Sequence, residues 1–346
     1  MRISPVITRP YHVYLFKNFI EEIEKKGHEV LTFSMKNDLT DDLLKNLKIP
    51  NKKYGQHLSY PLSEIIGPFY DRCSLLNKIN GFDPDLLLSV NNLPLAPLSS
   101  LLDTPAVVFL ELKPNRKNEH LIFNHASKIV TPDCYHSDIP KEKHLSHASY
   151  HSLAYLHPNR FTPDDEFLDK MDLGSEDYVM VSFSKRTSHD LDMKRPKLQR
   201  REMIDLVRTL DNHCRVFIDD RGRVPEPLKE YEPSIPYHKY LDLMAKSELV
   251  IGDNPITSSE AGVLGIPWIY ISDSLPYTLE DQEVHYEIGT HVHDVEDGEE
   301  LAEMILTGEI EPDLETSRKK ILKDKTDLTS WMLTLVQAMK KFNYIK

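Results

Sequence analysis

Cysteine is scarce. Cys73, Cys134 and Cys214 are the three in 346 residues, far apart and never as CxxC. That excludes a disulfide scaffold and a zinc knuckle and fits a reducing compartment. Basic residues are outnumbered, 42 Lys and Arg against 55 Asp and Glu, for a formal net charge of −13. Nucleic-acid binding and polybasic membrane attachment both draw on clustered cations, so neither suits this chain, although a local basic pocket for a small phosphate remains compatible. No apolar run approaches the about 18 residues of a spanning helix. The opening MRISPVITRPYHVYLFKNFIEE lacks the apolar core of a signal peptide. The expectation is a cytoplasmic protein with no nucleic-acid partner. What is present is a globular balance, 40% hydrophobic and 28% charged, with length enough for two domains at roughly 150 residues each.

Short apolar runs alternate with amphipathic stretches, the pattern of βα units around a parallel sheet. In the first half, strands are expected over 3–8, 29–33, 85–90, 105–110 and 127–131. Helices are expected over 14–26, over 41–47 with Thr40 as cap, and over 62–79 and 94–102. Residues 148–156 read as extended, and HPNRFTPDD (157–165), with two prolines, reads as a linker. A second series follows, with strands over 178–184, 215–219, 248–252 and 268–272 and helices over 201–210, 239–245, 257–264 and 299–307. A last amphipathic helix spans 328–341. The chain thus divides into 1–160, 161–325 and a terminal 326–346 that packs back on the first domain.

The most specific stretch is ELVIGDNPITSSEAGVLGIPWI, residues 248–269. A buried strand ends at Gly252, a polar turn follows, and Thr257, Ser258 and Ser259 open a helix that Gly265 ends. Free N–H groups and small hydroxyls at a helix start can hold a diphosphate. A carboxylate one turn in, Glu260, can accept from a ribose diol. Such a site lies at the carboxyl ends of the strands, where open α/β sheets bind ligands.

That stretch resembles the nucleotide-binding segment of the glycosyltransferase B superfamily, roughly S-G-x-x-T-x-x-E-x-x-x-x-G-x-P. Thr257, Glu260, Gly265 and Pro267 match in register, and Asn254-Pro255 stands where Ser-Gly is usual. The resemblance implies Glu260 on the ribose hydroxyls of a uridine nucleotide and Thr257 with Ser258 near the phosphates. His12, in RPYHVYLF, resembles the first-loop His of MurG-type N-acetylglucosaminyltransferases, without their Gly-rich loop and with Pro5 inside the preceding strand. LEDQEVHYEIG (279–289) resembles the late segment whose Gln contacts the donor sugar, which is Gln282 here. Through YHVYLFKNFIEEIEKKGHEVL, FDPDLLLS, IVTPDCYH, AYLHPNRFTPD, SHD and IPYHKYLDLMAKSELVIGDN, the chain from about 11 to 272 resembles an uncharacterised, largely archaeal conserved family of that superfamily. The implied fold is α/β, two Rossmann-like domains facing across a cleft, with the acceptor on the first and the nucleotide sugar on the second.

UDP-N-acetylglucosamine 2-epimerases share this fold. DPDLLLSVNN is similar to the epimerase strand ending in a catalytic Asp, and Asn92 stands there. An amide does not exchange a proton as a carboxylate does. VVFLELK resembles the strand carrying H-V-E-A-G-L-R, which places Glu111 at the Glu, while Ser184-Lys185-Arg186 meets the epimerase His-Arg-Arg-Glu. One carboxylate is kept and one lost, which favours a transferase over the alternatives, a UDP-N-acetylglucosamine 2-epimerase-like enzyme or a non-catalytic nucleotide-sugar-binding protein. The resemblance implies an inverting reaction with a UDP-sugar donor and no other cofactor or metal. Such a reaction needs a base for the acceptor hydroxyl and positive charge or N–H groups for the departing diphosphate. His12 and Glu111 are the candidates for the base. Ser184, Lys185, Arg186, His189, Thr257, Ser258, Glu260 and Gln282 are the candidates for donor binding. The acceptor is a sugar or a lipid-linked sugar, the latter bringing peripheral membrane contact. His136, His144, His147 and His151 fit no tight metal spacing and are expected at the surface or between domains.

Overall fold

The computed structural model describes residues 1–55, 62–91, 95–114, 116–171, 173, 177–184, 198–219, 224–342 and 344, with only the backbone described for 62–69, 96 and 117. The chain forms two compact units, 1–155 with 326–346 and 156–325.

The first unit is built on a parallel sheet of β1 (Arg2–Ile7), β2 (Glu29–Val30), β3 (Thr32–Met35), β4 (Asn51–Tyr54), β5 (Leu86–Val90), β6 (Ala106–Phe109), β7 (Lys128–Pro132) and β8 (His144–His147). The order is β4-β3-β1-β5-β6-β7-β8, with β2 also on β1. The inner strands LLLSV and AVVF are buried throughout, as a sheet covered on both faces requires. The edge strand β4, NKKY, turns Lys52 and Lys53 to solvent, which blunts edge pairing. Pro5 sits inside β1, opposite the break between β2 and β3, where partners run from Ile3 with Val30 to Val6 with Phe33. The donor it lacks is therefore missing where the ladder is already interrupted. From β1 the chain moves to β3 and β4 on one side, then returns to β5 on the other, so the order reverses between β1 and β5. Residues 326–346 belong to this unit, and the last helix (Leu328–Lys341) packs against the first (Pro10–Lys25).

The second unit carries β9 (Tyr178–Ser182), β10 (Arg215–Asp219), β11 (Leu249–Gly252), β12 (Trp268–Ile271) and β13 (Gly289–Val292). They are parallel in the order β10-β9-β11-β12-β13, and the reversal falls between β9 and β11. Val179, Val181, Leu206, Ile218, Ile251 and Ile269 centre its core. Gly252 has φ 146, and a Cβ there would stand 2.0 Å from the Ser182 carbonyl oxygen. Only glycine lets these two strands end this close together.

Two helix-covered parallel sheets bear out the expected α/β architecture. Several boundaries differ. The first helix starts at Pro10, whose fixed φ suits a first helical position. The helix Asp38–Asn46 is capped by Asn37, whose Oδ1 accepts from Thr40 N–H at 3.1 Å, and not by Thr40 itself. Residues 148–156 form turns and one helical turn (Leu153–Leu156) instead of a strand. Among the described residues no helix is long and apolar enough to cross a membrane.

Candidate functional sites at the two strand-order reversals

In the first unit, β1 delivers His12 and β6 delivers Glu111, from strands on either side of β5. His12 is buried in the first turn of its helix. The Thr8 backbone N–H donates to its Nδ1 at 3.3 Å. A backbone N–H can only donate, so Nδ1 is the accepting nitrogen and the ring proton sits on Nε2. That Nε2 is buried with no hydrogen-bond partner among the described residues. Burial first, then Arg9 and His151, hold the His12 pKa well below the usual histidine range. His12 is thus a neutral N–H donor. In this state its one lone pair faces the Thr8 N–H.

Glu111 is 5% exposed. Its Oε1 accepts from the His151 backbone N–H at 3.0 Å, and its Oε2 lies 3.3 Å from His151 Nδ1. Burial raises the Glu111 pKa to about 7, opposed by the His151 hydrogen bond, and burial lowers His151 to about 3. The His151 ring lies edge-on to Phe109 at 6.2 Å and stacks on His147 at 6.4 Å. His147 in turn meets Trp331 of the last helix at 5.2 Å. The turn that presents His151 is pinned. Ser149 N–H donates to the His147 carbonyl at 3.0 Å, Ser149 Oγ to the Thr326 carbonyl at 2.6 Å, and Thr326 N–H to the Ala148 carbonyl at 2.7 Å. His147 and His151, expected at the surface or between domains, belong instead to the interior of the first unit. His136 is exposed, and His144 is half-buried with Nε2 2.8 Å from Thr131 Oγ1.

In the second unit the helix after β11 spans Pro255–Leu264, so it opens ahead of the expected Thr257. Asn254 is its cap, with Oδ1 accepting from Ile256 N–H at 3.2 Å and Nδ2 donating to Ser182 Oγ at 3.1 Å. Pro255 brings no N–H and that of Ile256 is used, so the first turn offers fewer free donors than expected. Ser182 Oγ donates to Thr257 Oγ1 at 3.0 Å, which donates to Asp219 Oδ2 at 3.3 Å. Ser258 Oγ turns back to the Asn254 carbonyl at 3.2 Å. Ser184 N–H donates to Asp253 Oδ1 at 2.6 Å, and Ser184 Oγ to the Asp253 carbonyl at 2.6 Å. The reversal between β9 and β11 thus gathers Ser184, Thr257 and Ser258 with two buried carboxylates, Asp219 and Asp253. Glu260 follows one turn into the helix and is fully buried.

Gln282 is fully buried as well. Its Oε1 accepts from Trp268 Nε1–H at 3.0 Å, and its Nε2 donates to the Ser259 carbonyl and Oγ at 3.3 Å. Its amide ties two elements together inside the unit. Gly262 is what admits it, since a Cβ there would lie 2.1 Å from Gln282 Oε1. Lys185, Arg186, His189 and Asn92 lie outside the described residues. Sequence reasoning passed over Asp219 and Asp253, although each stands at the end of an apolar run, where a strand presents its last residues. It had no comparable signal for His151.

The chain belongs to the family described as "Protein of unknown function (DUF354)", whose model matches residues 2–341. No curated protein matches it by sequence. Solved structures match it closely in fold. The S. aureus MnaA–UDP co-structure has TM-score 0.73 at 13% identity, covering 99% of this chain and 97% of that one. A Methanocaldococcus jannaschii UDP-GlcNAc 2-epimerase in complex with UDP-GlcNAc and UDP has TM-score 0.67 at 15% identity, covering 93% and 98%. The spinosyn forosaminyltransferase SpnP has TM-score 0.59 at 13% identity, covering 97% and 99%.

Proposed function

We propose that this protein is a nucleotide-sugar-dependent glycosyltransferase, inverting and metal-independent, with a UDP-sugar as donor. The observation that carries the reading is the placement of Thr257 and Glu260. The residues that match the superfamily's nucleotide segment stand at the strand-order reversal of the second unit, the place where open α/β sheets bind ligands. The similarity in fold to a UDP co-structure and to a sugar transferase supports it.

In this reading the second unit binds the donor through Ser184, Thr257, Ser258 and Glu260, and Lys185, Arg186 and His189 neutralise the departing diphosphate. The first unit binds a sugar or lipid-linked acceptor and supplies proton chemistry from the cluster around Glu111 and His12. Positive charge and N–H donors stabilise the leaving group, so a chelator leaves transfer unchanged.

Calorimetric binding of UDP and UDP-N-acetylglucosamine tests the assignment, with Glu260→Gln as the variant and a thermal melt as the check on folding. The parent binds, and the variant binds at least about tenfold more weakly, ~1.4 kcal/mol. A parent that binds neither ligand overturns the UDP-sugar reading. The fold similarity to 2-epimerases favours a second reading, epimerisation of the donor at C2. Incubation with UDP-N-acetylglucosamine and no acceptor separates the two, because epimerisation gives the 2-epimer without releasing UDP.

A further inference from the structure

We propose that the first unit carries a binding site for a phosphorylated sugar, between the loops that follow β6 and β7. The inference deepens the glycosyl-transfer reading by naming the chemical class of the acceptor, and it rests on that reading for the ligand's role. The site itself stands on geometry inside one unit.

A cavity of about 660 Å³ opens in this unit, within the size range of small-molecule sites. Lys113 and Arg116, from the chain after β6, line it together with Ser137 and Asp138, from the chain after β7. The two strands are parallel neighbours. Both loops therefore leave the carboxyl edge of the sheet, the edge where open α/β sheets take their ligands. One wall is the helix Arg116–His125, through Arg116, Glu119 and Phe123.

The lining divides by chemistry. Lys113 and Arg116 are exposed, and neither forms an ion pair among the described residues. Neighbouring cations are already engaged. Lys143 Nζ donates to the Phe123 and Asn124 carbonyls at 2.7 and 3.0 Å, and Lys128 Nζ to the Glu142 carbonyl at 2.8 Å. In a chain of formal charge −13, two uncommitted cations on one cavity suit an anion. A guanidinium beside an ammonium is the donor set that grips a phosphate. Arg116 also stands in the first turn of its helix, where the macrodipole favours negative charge.

The rest of the lining asks for more than an anion. Glu119 Oε1 accepts from Ser137 Oγ at 2.7 Å, which ties the helix to the loop after β7 and fixes that carboxylate. Asp138 adds a second carboxylate. Carboxylates only accept, so the pair suits hydroxyl groups. Phe123 and the buried Tyr135 add aromatic surface, which suits the C–H face of a sugar ring. A bare phosphate would meet the carboxylates as repulsion and leave the rings unused. A neutral sugar would leave both cations unused. A sugar that carries a phosphate uses all three kinds of group, whether it is free or held on a lipid.

Titration calorimetry on the full chain, with no donor present, tests this. The probes are N-acetylglucosamine 1-phosphate, N-acetylglucosamine, inorganic phosphate, and phosphatidylcholine vesicles carrying a polyprenyl-phosphate-linked N-acetylglucosamine. The phosphorylated sugar binds, and the presentation that binds, free or on vesicles, names its source. The neutral sugar and inorganic phosphate each bind at least about tenfold more weakly. Lys113→Gln and Arg116→Gln each weaken the phosphorylated sugar by about tenfold or more and leave UDP affinity as in the parent. Both side chains are exposed, and a thermal melt checks that the variants fold. No binding of the phosphorylated sugar in either form overturns the proposal. So does undiminished binding by both variants, or inorganic phosphate binding as tightly as the sugar phosphate. A parent that binds the sugar phosphate and not UDP keeps this site and overturns the UDP-sugar reading. One that binds UDP and not the sugar phosphate does the reverse.

Discussion

Replacing Glu111 with Gln should stabilise the first unit as pH rises, and the size follows from the burial of that carboxyl. An unfolded Glu titrates near 4.5 and the folded one near 7. Between those values the folded chain holds the extra proton, so stability falls as pH climbs through the window, and the penalty is complete above 7. At about 1.4 kcal/mol per pH unit the interval amounts to about 3 kcal/mol. Glu111 is almost wholly shielded from solvent, so no discount for screening applies. Gln keeps an oxygen for the His151 N–H and cannot ionise. The variant should match the parent near pH 4.5 and exceed it by about 3 kcal/mol near pH 8. His12 and His151 act in the opposite sense. Their lowered values mean that stability is lost as pH falls below about 6.5, and they do so in both proteins, so the difference isolates Glu111. Amide hydrogen exchange of β5 and β6 reads the first unit apart from the second. A difference that stays flat with pH, or one that favours the parent at pH 8, would refute the reasoning. Greater stability joined to lost turnover is the mark of a group kept for chemistry.

Other expectations follow from packing. Gly252→Ala drives a Cβ against the Ser182 carbonyl and should cost about 1–3 kcal/mol or more in urea unfolding; an unchanged midpoint would show that the strands can part freely. Lys325→Ala takes from Asp281 the ammonium it meets at 2.8 Å, with both side chains at most 10% exposed, and leaves it His285 Nδ1 at 2.8 Å. A loss of about 3 kcal/mol is expected, and a loss within experimental error would count against a buried pair. Gln282→Ala leaves the Trp268 indole N–H without its acceptor and should cost about 1–3 kcal/mol. UDP affinity should move by less than about twofold; a tenfold loss would restore Gln282 to the donor site.

The inner strands were legible because burial on both faces leaves only apolar letters, as in LLLSV and AVVF. Edge strands leave no such trace. NKKY is two exposed lysines between polar neighbours, and HLSH carries two histidines, so neither resembles a strand in isolation. The nucleotide segment could be placed because glycine, proline and small hydroxyls mark the turn and the helix around them. Its cap went to Asn254 because an amide at that position can bond both forward to Ile256 and across to Ser182, a contact 72 residues away that no local pattern records. His151 shows the same limit more sharply. Histidine suits surface and interior alike, and what buries this one is a turn held by Thr326, far along the chain.

That last contact also orders events in time. Residues 326–341 are made after the whole of the second unit, yet they complete the first. Until they emerge, the Ala148 carbonyl and the Ser149 hydroxyl wait for Thr326, the Ala154 carbonyl for Thr329 Oγ1, and His147 for Trp331. A nascent chain therefore carries Glu111 long before it has a fixed imidazole to set against it. The last turns of the polypeptide act as the closing latch on the first-made half, and the turn that carries His151 stays unpinned in every incomplete copy.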